Sequence, residues 1–194
     1  METIILHSGG AVGADHEWAR ASLFADPRFI VEIHSFQGHS RDMDSLDASR
    51  VNLNIHFLDI MMTEAFPYVQ EAARSLGRNL PRKPYVLNLL LRNFYQVNRS
   101  QYVFAVAPVS DNMRTVDGGT GWAVEMAKGF SLPILVFDQR REKWFFYVYP
   151  SKAFVPCHGD PPAGFVRSLG LSDITGIGSR DLSDIGRNAI LSIL

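Results

Sequence analysis

TIILHSGGAVGAD, residues 3–15, is the stretch that decides the fold. Its apolar first part, Thr3 to His7, predicts a buried strand, and Ser8-Gly9-Gly10 predicts the tight turn that ends it. The residues that follow, Asp15 to Phe24, carry apolar side chains at helical spacing, and Pro27 ends that helix. A strand, a glycine turn and a helix in this order are typical of the first unit of an α/β fold.

The same alternation continues along the chain and predicts a Rossmann-like α/β fold, a mostly parallel sheet with helices on both faces. We treat residues 1–194 as one domain, with 150–194 as a C-terminal extension that packs on it. Further strands are predicted at Phe29–His34, Val51–Leu58, Tyr102–Ala107 and Pro133–Phe137, and an edge hairpin at Lys143–Tyr149. Further helices are predicted at Met61–Leu76, Pro84–Val97, Gly121–Phe130 and Asp181–Leu194, and irregular chain at 36–50 and 150–164.

Composition excludes several classes of protein. The formal net charge is -1 and no run of five like charges occurs, which argues against a nucleic-acid partner and against a basic membrane-binding surface. A single cysteine, Cys157, gives no internal disulfide. The N-terminal residues lack a basic region, and no stretch approaches the roughly 20 apolar residues that cross a bilayer. We therefore expect a cytoplasmic protein with no membrane partner.

The first glycine loop supplies five candidate ligand-binding residues: Ser8, Gly9, Gly10, Gly13 and Asp15. Glycine allows a ligand to approach the backbone closely, and the start of a helix offers free N–H groups with partial positive charge. The spacing differs from the G-x-G-x-x-G fingerprint of dinucleotide-binding folds. Asp15 has an alternative role, because an aspartate here can cap the helix instead of contacting a ligand.

The second glycine loop, residues 117–121, also stands between a predicted strand and a predicted helix. Its candidate ligand-binding residues are Asp117, Gly118, Gly119, Thr120 and Gly121. Three glycines within four residues favour a nest of backbone N–H groups that holds an anion such as phosphate. Glu125 lies one helical turn past Gly121, where its carboxylate could face a ribose. The alternative is a first-turn glutamate favoured by the helix dipole.

Together these two loops resemble the LOG and SLOG superfamily of Rossmann-like, nucleotide-handling proteins. The second loop is similar to the motif P-G-G-x-G-T-x-x-E, with Gly118, Gly119, Gly121 and Glu125 in register; Asp117 and Trp122 replace the proline and threonine. The first loop is similar to the pattern S/T-G-G-x-x-G-x-D of the YpsA-like and putative molybdenum-cofactor-carrier branches. The resemblance covers roughly residues 1–140.

This resemblance implies a phosphate-containing, nucleotide-like small molecule as the partner, with the protein acting as a sensor or a sequestering module. Two alternatives stay open: a hydrolase that cleaves the N-glycosidic bond of a nucleoside 5'-monophosphate, and a carrier of the pterin phosphate of molybdenum cofactor. In the hydrolase, Glu125 would be catalytic together with an arginine of the preceding helix. Arg92 is the closest match by position, and Arg99 competes with it.

A third candidate, residues 176–181, reads GIGSRD and resembles a turn found in SLOG-type proteins. If the tail folds over the sheet edge, Ser179 and Arg180 would close the ligand pocket. The alternative is that Ser179 or Ser183 caps the last helix and that Arg180 is a surface residue.

The histidines show no metal-binding spacing, so we expect neither a metal nor a cofactor. His39 and Arg41 follow the second strand, where nucleotide-binding folds often contact a base or ribose; a solvated loop is the alternative. The aromatic run Trp144 to Tyr149 is typical of core or of a dimer interface. We expect a homodimer, since oligomers are common among such folds.

Overall fold

An eight-stranded sheet runs through the protein, which is described here by a computed structural model for residues 2–194. The strands lie in the order β3-β2-β1-β8-β4-β5-β6-β7. All neighbours from β3 to β5 are parallel, and β6 and β7 are antiparallel. The predicted α/β class is confirmed. The bounds are β1 Ile4–Ser8, β2 Phe29–Phe36, β3 Val51–His56, β4 Tyr102–Val106, β5 Ile134–Asp138, β6 Lys143–Val148, β7 Ala153–Pro156 and β8 Asp173–Gly178.

Helices cover both faces of this sheet. Helices α1 and α7 pack against each other on one face, and α3, α4 and α5 pack together on the other. No helix within residues 2–194 is long and apolar enough to cross a membrane. The bounds are α1 Ala14–Ala25, α2 Leu58–Glu64, α3 Phe66–Leu76, α4 Pro84–Val97, α5 Thr120–Gly129, α6 Phe165–Ser168 and α7 Asp184–Ile193.

The position of β4 inside the sheet explains why its sequence is apolar throughout. Phe104 and Val106 enter the core on the α1 and α7 side, whereas Val103 and Ala105 enter the core beside α5. Successive side chains of a strand point to opposite faces, and both faces are covered here. The continuous apolar run is therefore the signature of a strand buried on both sides.

Strand β8 corrects the prediction of a turn at residues 176–181. Asp173–Gly178 is a strand in the middle of the sheet, between β1 and β4, and only the residues after it form the turn. The C-terminal extension therefore does not fold over the sheet edge. Its two glycines fit because a Cβ at Gly176 would overlap Trp18 and one at Gly178 would overlap Ala14 and the backbone of Val106. They serve close packing of α1 on the sheet.

Three smaller predictions were wrong in detail. The single helix predicted at Met61–Leu76 is two helices, because Pro67 starts α3 in its first turn. The irregular region 150–164 contains β7, which pairs with β6. The hairpin strand β6 is therefore not at the edge, and Trp144 and Phe145 belong to the core.

Candidate functional site

Three turns meet at one edge of the sheet. Strands β1, β8 and β4 are parallel neighbours, so the segments that follow them emerge at the same carboxyl edge. These segments are the first glycine loop, the turn at 179–183 and the second glycine loop. Ligands of open α/β sheets bind at this edge. The structure thus brings both glycine loops to the expected side of the sheet, with the turn after β8 between them.

The first glycine loop is tied together by its own side chains. Asp15 is buried, and its Oδ1 accepts a hydrogen bond of 3.1 Å from the Gly178 backbone N–H. Its Oδ2 lies 3.3 Å from Nη1 of Arg92, which is also buried. The Ser8 hydroxyl donates to the Asp15 carbonyl oxygen and accepts from the Gly10 N–H. Asp15 makes no helix-capping bond. The carboxylate of Asp15 is therefore already bonded within the protein, to the end of β8 and to α4.

Arg92 leaves little room at the first loop. A Cβ at Gly9 would overlap the Arg92 guanidinium, so glycine is needed there to admit the arginine rather than a ligand. Burial raises the pKa of Asp15 above its ordinary value, although the charge of Arg92 pulls it in the other direction. The charged partner of Arg92 is thus Asp15.

The turn after β8 is hydrogen-bonded to the start of α1 and packs closely against it. The Ala14 N–H donates to the Ser179 carbonyl oxygen at 3.0 Å. Gly13 has a φ of 101°, and a Cβ there would overlap the backbone of Arg180. The Arg180 side chain itself is exposed. Ser183 caps α7 by accepting from the Gly186 N–H at 3.1 Å, so the capping alternative is correct for Ser183.

The second glycine loop is open. Among the residues 2–194, no protein acceptor is found for the backbone N–H groups of residues 118–121. Added Cβ atoms at Gly118 and Gly119 would meet nothing within 4 Å. The Arg78 guanidinium donates to the Gly118 carbonyl oxygen at 2.8 Å, and Arg140 pairs with Asp117 at 3.2 Å. This loop has free amides and, unlike the first loop at Gly9, open space beside its glycines.

Glu125 lies apart from Arg92. Its Oε1 accepts from the Thr115 hydroxyl at 2.6 Å and from Lys128 Nζ at 2.6 Å. Lys128 also lies over the ring of Tyr147. The carboxylate is thus neutralised within its own helix and faces the β6 side of α5. The structure does not bring together the two residues that the resemblance pairs for catalysis.

A cavity of about 570 Å³ opens at the carboxyl ends of β2 and β3. Arg41 lines it and donates to the Ser35 hydroxyl at 2.8 Å; a Cβ at Gly10 would lie within reach of the Arg41 side chain. His39 stacks on Phe36 and is buried. Of the segment 36–41, Phe36 and His39 are therefore buried beside the cavity, whereas Gln37, Gly38 and Ser40 are exposed to solvent. The other lining residues are Phe36, Gln37, Gly38, Ile55, His56, Phe57, Leu58, Met61 and Asn88.

A polar layer between α4 and the sheet was missed by the sequence analysis. His7 and His34 are buried there beside Glu32, and Gln96 of α4 has a buried Nε2 without a hydrogen-bond partner among the described residues. Spacing along the chain could not find this group, because its members come from separate strands. The available signal was that His7 and His34 each end a predicted strand.

Comparison of the chain with protein-family models, with curated proteins and with solved structures found no match. The fold and the site alone therefore define the class: an α/β protein with a mostly parallel sheet and two glycine loops at its carboxyl edge. The resemblance to the SLOG superfamily remains a prediction.

Proposed function

We propose that the protein binds a phosphate-bearing nucleotide or nucleotide-derived small molecule, with the phosphate on the second glycine loop. The observation that carries this proposal is the row of unpartnered N–H groups at residues 118–121, at the start of α5. Successive free amides at a helix N-terminus attract anions through both hydrogen bonding and the helix dipole. The Thr120 hydroxyl adds one further donor.

Charge and space near this loop support the same ligand class. Arg78 lies on one side through its bond to Gly118, and Arg140 lies on the other through its pair with Asp117. Arg140 lies against two carboxylates, Asp117 and Asp138, whereas Arg78 pairs with no carboxylate among residues 2–194, so its positive charge is available to an anion. An open surface groove of about 410 Å³ is linked to the loop through Arg78, which lines the groove and bonds to Gly118. It is lined by Gln70, Ala73, Arg74, Gly77, Arg78, Asn79 and Leu80.

The geometry favours binding over hydrolysis. A LOG-type N-glycosidase needs its glutamate and its arginine at one sugar, whereas Glu125 is bonded to Lys128 and Arg92 is bonded to Asp15. Neither charged group is free to stabilise a cationic ribosyl centre. A sensor or a sequestering module is therefore the role that we propose.

The experiment is a thermal-shift and calorimetric screen with nucleoside mono- and diphosphates, ADP-ribose and inorganic phosphate. Gly119→Asp should abolish binding, because its carboxylate would stand beside the free amides and repel a phosphate. Stability should not fall, since the new side chain enters open space and a negative charge at a helix start is favourable.

Gly129→Asp is the matched control, because it makes the same change in open space at the other end of α5. It should leave binding unchanged. Equal binding by wild type and Gly119→Asp would refute the assignment of the phosphate to this loop.

A further inference from the structure

Two strands bring two histidines and a glutamate to one point beneath α4. The register of β1 and β2 places His7 beside Glu32, and His34 lies two residues further along β2 on the same face. His7 Nδ1 is 3.1 Å from His34 Nε2 and 3.7 Å from Glu32 Oε2. One ligand atom from each of the three side chains lies within 4.8 Å of the other two.

The far nitrogens of both imidazoles are held by other groups. His7 Nε2 lies 3.3 Å from Asp173 Oδ1, and His34 Nδ1 lies 3.0 Å from His56 Nε2. Histidines that ligate metals usually give their second nitrogen to a carboxylate or another polar partner, which fixes the ring. The outer bonds therefore leave His7 Nδ1 and His34 Nε2 as the two nitrogens that face each other, 3.1 Å apart.

Burial and charge suit a cation at that point. His7 and His34 are each 1% exposed, whereas the Glu32 side chain is 21% exposed and offers an entry path. Glu32 and Asp173 supply two negative charges. Arg99 faces the imidazoles with a positive charge, and Arg92 reaches His34 as well but is paired with Asp15.

We propose that His7 Nδ1, His34 Nε2 and a Glu32 carboxylate oxygen bind one divalent transition-metal ion of the zinc class. Tetrahedral Zn–N bonds of about 2.0–2.1 Å place two ligand nitrogens about 3.3–3.4 Å apart, close to the observed separation. The ion takes the place of the hydrogen between the two rings. His34 then carries its hydrogen on Nδ1 and donates it to His56.

Three protein ligands leave a fourth position open, as in zinc sites that bind water or a substrate. Polar groups without partners lie in the same layer: Asn54 Nδ2, level with His34 on β3, and Gln96 Nε2. Such amides can hydrogen-bond a metal-bound water. The proposal is independent of the phosphate site on the second glycine loop.

The test uses the untagged full chain, freed of metal by chelation and dialysis, and titrated with Zn²⁺ by calorimetry and with Co²⁺ by visible absorption. We expect one ion per chain, a dissociation constant of about 1 µM or below for Zn²⁺, and the intense absorption of cobalt with fewer than six ligands. Glu32→Gln keeps the size of the side chain and should weaken Zn²⁺ binding about 100-fold.

His34→Gln should abolish the cobalt spectrum, and circular dichroism will show whether this buried variant folds. His16→Gln is the matched control, because His16 also lies beside a carboxylate, Asp42, but outside the cluster; its Zn²⁺ affinity should equal that of wild type. Binding that is equally tight in Glu32→Gln, or no binding tighter than about 1 mM, would overturn the proposal whether or not His34→Gln folds. The histidines would then form only a hydrogen-bonded chain.

Discussion

At the scale of single residues, the buried pair of Asp15 and Arg92 organises the carboxyl edge. Asp15 joins α1 to the end of β8 through Gly178 and to α4 through Arg92. Asp15→Asn would leave the Arg92 charge buried without a counter-charge, which typically costs about 3–5 kcal/mol. Urea denaturation should show a loss of this size in the free energy of unfolding.

The exposed pair of Asp47 and Arg50 provides the control for that measurement. Asp47→Asn removes one partner of a surface ion pair and should cost less than about 1 kcal/mol. A similarly small loss in the free energy of unfolding for Asp15→Asn would mean that the buried pair does not stabilise the fold.

His39 predicts a pH dependence of stability. Burial, together with the charges of Arg92 and Arg41, lowers the pKa of His39 to about 3. Because the unfolded chain takes up this proton below pH about 6.5 and the folded chain does not, stability falls as the pH drops from 6.5. His39→Gln should reduce the stability lost between pH 7 and pH 5 by up to about 2 kcal/mol, measured by urea denaturation at both pH values. An unchanged loss would show that His39 is protonated in the folded state.

At the scale of elements, the contact between α1 and the turn after β8 depends on one glycine. Gly13→Ala forces a side chain into a positive-φ conformation and against the Arg180 backbone, so we expect a loss of at least about 2 kcal/mol. Arg180→Ala keeps that backbone and removes only an exposed side chain, so it should change stability by less than about 0.5 kcal/mol. Thermal denaturation of both variants measures the difference. A large loss for Arg180→Ala would assign a role to its side chain.

Most elements could be predicted from the sequence because their signals are local. The bounds of α4 match the prediction at both ends, since Pro84 opens the helix and its apolar spacing is regular. The strand β8 could not be predicted in this way. Its sequence, DITGIG, contains two glycines, and it is a strand because of its packing against Trp18 and its pairing with β1 and β4.

The candidate site, too, could be predicted only in part from local sequence signals. Both glycine loops could be placed at the carboxyl edge from strand order alone. Their difference could not, because it depends on a partner distant in the chain: the Arg92 guanidinium of α4 occupies the space beside Gly9, whereas the space beside Gly118 and Gly119 is open. The role of Glu125 could not be predicted from the glycine motif, because it depends on bonds to Thr115 and Lys128, which lie outside that motif.

At the scale of the whole molecule, the insertion of β8 separates the two glycine loops. The turn after β8 stands between them, and its Ser179 carbonyl oxygen accepts from the Ala14 N–H at the start of α1. Buried Arg92 and Asp15 take up the space beside Gly9, whereas the space beside Gly118 and Gly119 is open. Of the aromatic run, Trp144 and Phe145 belong to the core and Phe146 is exposed, and β7 covers the outer edge of β6. The homodimer expected from that run stays a prediction.

The most direct test of the phosphate site is a nuclear magnetic resonance titration of the ¹⁵N-labelled protein with a nucleotide selected by the screen. We predict that the backbone amide signals of residues 118–121 move most, because their free N–H groups would bond to the phosphate. The signals of residues 9–15 should move little, because the Arg92 guanidinium and the Asp15 carboxylate already occupy the space beside Gly9. Large shifts at residues 9–15 with unmoved signals at 118–121 would contradict the assignment of the phosphate to the second glycine loop.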